Sequence, residues 1–271
     1  HHVYFLSYGS STVAKGWCVR RTLCRRLYGM DRRIERRDFT LREARNGSLK
    51  MNIANWLART ASAHPARQAL FHGESAVCDY GMFHQSAGCI AAGLMARGVR
   101  EGDRIGIFMD NHPDWLLGIY GILYAGAAAV PINAKLHGRE AAYILHDSGA
   151  TLCLTDHAHH EKLKSADTPC PCTAPRSLLG KGSVPVASRA AEDLAWLFYT
   201  SGTTGTPKGV MITHGMLMAM SLSYGMDVDK VSAQHAAIYA APLSHGAGLY
   251  NFLHVQAGAR HVIPMSGGFE A

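Results

Sequence analysis

The sequence has no apolar run near the roughly 18 residues that a membrane-spanning helix needs, and no charged start followed by an apolar core of the kind that marks a secretory signal. It also lacks a cysteine framework. Its seven cysteines, at 18, 24, 78, 89, 153, 170 and 172, are odd in number, show no regular spacing, and in several cases fall inside apolar runs. Reduced thiols in a cytoplasmic protein fit this better than a disulfide scaffold. Cys170-Pro171-Cys172, with His157, His159 and His160 nearby, has the composition of a zinc site. The segment carries no other order signal, so zinc is not expected there.

Basic charge is scarce once the first fifty residues are set aside. The whole chain carries +7, which by itself would suggest nucleic acid or an acidic membrane as partner. Residues 1–50 hold 12 Lys and Arg against 4 acidic residues, and residues 51–271 hold 15 against 16, so the excess belongs to the leader alone. That leader begins His-His, has Arg pairs starting at 20, 25, 32 and 36, and shows no sustained apolar period. It reads as a disordered or non-native extension before a natural start at Met51. Asp31, Glu35 and Asp38 weaken its alternative readings as a nucleic-acid arm or an organelle address.

What is present is an α/β pattern in a chain of 271 residues and 48% apolar content, ample for a buried core. Phe83, Ala87, Ile90, Ala91, Leu94 and Met95 recur at helical spacing, and Gly98 follows as a stop. A strand over 105–109 leads to Asn111-His112-Pro113, which caps a helix through Trp115, Leu116, Ile119, Tyr120 and Leu123. A strand over 127–132, a helix over 139–146 and a strand over 152–155 complete a series typical of parallel sheets flanked by helices. Residues 157–192 hold four of the ten prolines without a period and read as a loop-rich connection. Further on, Thr213 and His214 open a helix whose Met216, Leu217 and Met220 read as core filling. A strand over 236–241, a helix over 249–255 and a strand over 261–264 follow.

The most informative stretch joins two strands, over 194–199 and 210–212. Between them Gly202 and Gly205 free the backbone to turn its N–H groups toward one anion, and Thr200, Ser201, Thr203 and Thr204 add hydroxyls. Pro207 stiffens the exit before Lys208, whose ammonium is a point charge for phosphate oxygens. A surface hairpin of turn formers is the bland alternative. A P-loop is excluded because Pro207 separates Thr206 from Lys208 and a strand follows where a helix is needed.

Tyr199-Thr200-Ser201-Gly202-Thr203-Thr204-Gly205-Thr206-Pro207-Lys208-Gly209 resembles the signature of the adenylate-forming acyl-CoA synthetases, a family that includes luciferases and the adenylation domains of peptide synthetases. Pro242-Leu243-Ser244-His245-Gly246 resembles a second motif of the same family. On sequence alone His245 reads as structural, and the resemblance instead implies that it lies at a carboxylate substrate. The resemblance covers residues 51–271 and implies an incomplete amino-terminal domain of that fold. It further implies ATP, Mg²⁺ and coenzyme A, with phosphate contacts from Thr200, Ser201, Gly202, Thr203, Thr204, Gly205 and Lys208, and Thr200 beside the magnesium. His245 and Lys208 are the implied catalytic residues, and a small-molecule carboxylic acid of the fatty class the implied substrate. The family's adenine, ribose, magnesium-glutamate and second lysine motifs have no counterpart among these 271 residues, which implies little or no activity for them alone. A non-catalytic protein that keeps the loop as a nucleotide-binding or interaction surface is the reading of a different class.

Overall fold

The computed structural model describes residues 51–180, 182–200 and 207–266. The basic leader and Ser201, Gly202, Thr203, Thr204 and Gly205 lie outside the described residues.

Helix α1 (Asn55–Ala63) precedes a hairpin of β1 (Gln68–His72) and β2 (Ser75–Asp79). The sequence pattern does not show this hairpin, because its strands are short and expose their polar ends without clean alternation. Gly73, at φ 57°, makes its turn. Asp79 accepts the Met82 N–H at 2.7 Å and so starts α2 (Tyr80–Ala96). There follow β3 (Arg104–Phe108), α3 (Pro113–Tyr124), β4 (Ala128–Pro131), α4 (Gly138–Asp147) and β5 (Ala150–Thr155). These three strands are parallel, with β3 between β5 and β4, as the alternating pattern predicts. Their near-continuous apolar character follows from burial on both faces.

The 157–192 segment corrects the loop reading. It contains α5 (His157–Lys164), a two-residue strand β6 (Cys172–Thr173) and a 3₁₀ turn over Pro175–Leu178. Its order comes from tertiary contact rather than local pattern. At Gly88 and Gly93 of α2 an added Cβ would stand 2.1 Å from Ser183 Oγ and 2.6 Å from the Leu178 carbonyl, so the segment rests in a groove that only glycine leaves open. The Ala187 N–H donates to Tyr124 O at 2.9 Å, and Asn52 Nδ2 donates to Ala187 O at 3.0 Å.

Strand β7 (Leu194–Thr200) lies beside β4, and β8 (Lys208–Thr213) pairs with it antiparallel. The described residues thus form a six-stranded sheet in the order β6-β5-β3-β4-β7-β8. Thr213 caps α6 (His214–Asp227), accepting the Met216 N–H. The methionine face of α6 fills the core only in part: Leu217 is buried and Met218 packs half-buried against the core, but Met216 is 56% exposed. The strand expected over 236–241 is shorter, β9 (Ala236–Ile238), and the helix expected over 249–255 breaks at Tyr250 into α7 (Gly246–Leu249) and α8 (Asn251–Ala257). Finally β10 (Arg260–Ile263) completes a second sheet ordered β2-β1-β10-β9, parallel apart from the β1–β2 hairpin. Among the described residues no helix is long and apolar enough to cross a membrane.

An aromatic cluster secures β7. Trp196 packs against Trp115 of α3 and Phe252 of α8, with ring centroids 5.9 and 6.4 Å away, and all three side chains are fully buried. Burying each contributes on the order of 2–3 kcal/mol. The strand that carries the predicted phosphate loop is therefore rooted in the core.

Candidate active site

Strand β7 grades from buried at Ala195–Leu197 to exposed at Thr200. In the hairpin register Tyr199 faces Gly209 and Thr200 faces Lys208. Both ends of the loop are thus pinned side by side, since directly opposed residues of an antiparallel pair lie about 4.5–5.5 Å apart. Lys208 is exposed. Because β4 runs parallel to β7, its Pro131 and the following Asn133 reach the same sheet edge as Thr200. That is the carboxyl edge, where open α/β sheets receive ligands.

A cavity of about 410 Å³ opens there, and its wall brings together Pro131, Asn133, Tyr143, Thr200, Pro207 and His245. Tyr199 is braced from behind: its hydroxyl donates to Asp147 Oδ2, at the end of α4, over 2.5 Å. Burial, and next the Asp147 carboxylate, raise its pKa well above the usual phenol value, so it stays a neutral donor.

His245 stands at the start of α7, half-buried, with Nδ1 3.0 Å from Ser244 Oγ and its ring 6.0 Å edge-on to Phe198. Two features place it. A Cβ on Gly248 would lie only 1.9 Å from the Leu243 carbonyl, so this turn closes on glycine alone. Asn111, just past β3, donates through Nδ2 to Tyr239 O at 3.0 Å and Ala241 O at 2.8 Å, and its Oδ1 accepts the Leu243 N–H at 2.8 Å. Of the expected cap Asn111-His112-Pro113, His112 is the cap residue, its Nδ1 accepting the Asp114 N–H, and Pro113 opens the helix, while Asn111 ties the His245 loop to the sheet. An asparagine at a strand end is a signal for such a role, but nothing local reveals partners some 130 residues away.

The metal reading of the 157–172 region fails on geometry. Among the described residues, Asp110, Asp156 and His159 bring potential ligand atoms within 4.8 Å of one another, and no cysteine joins them. Both ring nitrogens of His159 are engaged within the protein: Nδ1 lies 2.7 Å from Asp156 Oδ1, and Nε2 lies 3.0 Å from Ala134 O and 3.3 Å from Lys162 Nζ. Burial lowers the His159 pKa but the Asp156 bond outweighs that and raises it; Asp156 is drawn down to about 2 by the same bonds, against the cost of burial. The ion pair anchors the β4–α4 loop, whose Asn133 and Leu136 line the cavity.

The model of a family described as "AMP-binding enzyme" matches residues 57–269. The chain belongs to this adenylate-forming family. It is 34% identical over 199 residues to a feruloyl-CoA synthase of Amycolatopsis sp, covering 73% of this chain and 40% of the relative. To an L-proline–[L-prolyl-carrier protein] ligase of Streptomyces coelicolor it is 34% identical over 208 residues, covering 67% and 39%. The o-succinylbenzoate coenzyme A synthetase of Bacillus subtilis, solved with AMP, superposes with a TM-score of 0.69 at 28% identity over 80% of this chain and 56% of that one. The chain thus spans about two fifths of the length of these two curated relatives. The α/β architecture is that of the family's amino-terminal domain.

Proposed function

We propose that this chain supplies the phosphate-gripping part of an AMP-forming ligase. In that reaction a carboxylate attacks the α-phosphorus of ATP, pyrophosphate leaves, and the acyl-adenylate passes its acyl group to the thiol of coenzyme A. Negative charge gathers on phosphate oxygens in the transition state, and donors fixed in advance lower its energy most. The observation that carries the reading is the register of the hairpin, which sets Lys208 opposite Thr200, a residue that lines the same cavity as Pro207 and His245. Ser201, Gly202, Thr203, Thr204 and Gly205 would extend the grip between them.

Thr200 offers a hydroxyl at the rim, a donor of the hard oxygen type that Mg²⁺ prefers. It would be one ligand of the ion, which neutralises charge on the phosphates when bound. His245 would border the acid. A fatty acid is the first substrate reading and an aromatic acid the second; the feruloyl-CoA synthase likeness favours the latter. The cytoplasm is the proposed location.

The test is calorimetric titration of ATP with Mg²⁺ into the full chain and into Lys208→Ala, alongside pyrophosphate release with fatty and aromatic acids. Lys208→Ala should weaken ATP binding about tenfold or more, as loss of a charge-assisted contact costs roughly 1.5–3 kcal/mol. Unchanged affinity would refute the phosphate grip. Tight binding with no pyrophosphate release from any acid would favour the non-catalytic nucleotide-binding reading.

A further inference from the structure

At the edge of the six-stranded sheet away from β7 and β8, two thiols stand opposite each other. Cys153 on β5 and Cys172 on β6 are direct register partners in a parallel pair, and the Cys153 N–H donates to Pro171 O at 2.9 Å. Paired positions on adjacent strands show their side chains on one face, with strands about 4.7–4.9 Å apart. A disulfide spans Cα atoms roughly 4.4–6.8 Å apart, so the pair needs little backbone movement. Whatever movement it needs falls on β6, which is two residues long and at the sheet edge.

The two positions are unequal. Cys153 is fully buried, with its sulfur beside Gly106, where an added Cβ would come within 2.9 Å. Cys172 is half-buried and so within reach of a small solute. The Cys172 thiol lies 3.9 Å from the Cys170 carbonyl and the Cys153 thiol 3.7 Å from the Leu154 carbonyl, and the neighbouring Cys153 holds the Cys172 pKa below the ordinary value, against the effect of burial. Burial pushes the Cys153 thiol well up. Cys170, two residues away, is pushed up to about 12 by burial and next by Cys172, which keeps it protonated.

We propose that Cys172 is an oxidative modification site and Cys153 its resolving partner. The co-reactant is hydrogen peroxide or another hydroperoxide. The Cys172 thiolate attacks the peroxide O–O bond, giving the sulfenic acid and releasing hydroxide, or alkoxide from an alkyl hydroperoxide. The sulfur is oxidised by two electrons and the peroxide reduced by two. The Cys153 sulfur then displaces the hydroxyl of Cys172–SOH, forming the S–S bond; its proton leaves with that hydroxyl as water. The product ties the edge strand to β5 and returns to two thiols on treatment with a dithiol reductant.

The full chain is treated with hydrogen peroxide, its remaining thiols are alkylated, and non-reduced peptides are mapped by mass. A cross-linked Cys153–Cys172 peptide, lighter by two hydrogens than its two free components, is expected; it should vanish after reduction and in Cys172→Ser, and persist in Cys170→Ser. The inference is overturned by Cys172 carried to sulfinic acid without a cross-link, by a cross-link that uses Cys170, or by peroxide that oxidises other cysteines and leaves Cys172 a thiol. Mapping of the unsubstituted chain and of Cys170→Ser decides between these even if Cys172→Ser fails to fold.

Discussion

Helices α3 and α6 each carry eight apolar residues, in twelve and fourteen positions, and have opposite fates. Every residue of α3 from Pro113 to Tyr124 is buried, whereas of the fourteen residues of α6 only His214, Leu217 and Ser221 are. The strands beside them differ in the same way: β4 is buried throughout, and β8 is exposed from Lys208 to Met211. The reason is cover. Helix α3 is enclosed by α2, β4 and the ordered 175–178 turn, while the β8–α6 flank packs on one side and shows Met211, Met216, Leu222, Met226 and Val228 on the other. Apolar composition makes burial favourable, and only the neighbours present decide whether it happens. The candidate site straddles this division, with Trp196 and Asn111 holding it from the core and Lys208 standing on the flank.

The contrast predicts its largest effect for truncation of the central ring. Trp115→Ala should cost about 3–5 kcal/mol, because it empties a fully enclosed volume beneath β7. Met226→Ala, at 82% exposure, should change stability by no more than ~0.5 kcal/mol. Urea unfolding of both variants measures this, and similar costs would break the comparison.

His214 is the joint between the regions and should govern acid stability. It opens α6, yet its ring is buried and its Nδ1 accepts the Ile53 N–H at 3.2 Å, ahead of α1. Burial, and next the Arg189 charge, lower its pKa to about 4. A lowered folded pKa means that the unfolded chain binds the proton first, so stability is full above about 6.5 and falls as pH drops toward 4. The loss amounts to roughly 3 kcal/mol. His214→Gln, which keeps an acceptor for Ile53, should flatten that limb in unfolding curves measured from pH 7.5 to 4.5. An unflattened limb would assign the acid loss elsewhere, with buried His261 the first suspect.

One substitution made in both regions sharpens the contrast further. On α3, a Cβ at Gly121 would lie 2.2 Å from Ile90 Cγ2, so Gly121→Ala should overpack the α2–α3 contact and cost about 1–3 kcal/mol. On α6, a Cβ at Gly225 would meet only the methyl ends of Leu253, at 3.3 and 3.4 Å, which can rotate. There the better helix propensity of alanine should win, leaving Gly225→Ala neutral or up to ~1 kcal/mol more stable. Both values come from the same denaturation series.

The same division separates what the sequence revealed from what it hid. The β3-α3-β4-α4-β5 series was legible because those elements are enclosed, so their period or apolar run reports burial directly. The two strands of the β7–β8 hairpin were legible from turn chemistry. Periodicity over-read α6, since a methionine stripe looks the same whether or not anything lies upon it. It under-read residues 157–192, whose order rests on Gly88 and Gly93 of a distant helix. For the candidate site, residue types pointed to Thr200 and Lys208, whereas His245 read as structural by type and was pointed to only by the family resemblance. The supports did not announce themselves: Asn111 reaches residues 239–243 and Tyr199 reaches Asp147 only once the sheet has formed.

The smallest stability effect belongs to the residue with the largest expected effect on ligand. Lys208 is the first residue of β8 and lies opposite Thr200, and its side chain is exposed. Its Cβ and stem are retained in part by alanine, and an exposed ammonium gives folding little to lose, so Lys208→Ala should shift the urea midpoint by no more than ~0.5 kcal/mol. If the lysine serves phosphate, its contribution appears only when ATP is present: nucleotide should raise the unfolding temperature of the unsubstituted chain more than that of Lys208→Ala, because stabilisation by a ligand follows the ratio of its concentration to its dissociation constant. Equal thermal shifts would place Lys208 with Met226 as an inert exposed residue, and a large loss of stability without ligand would place it with Trp115 in the core.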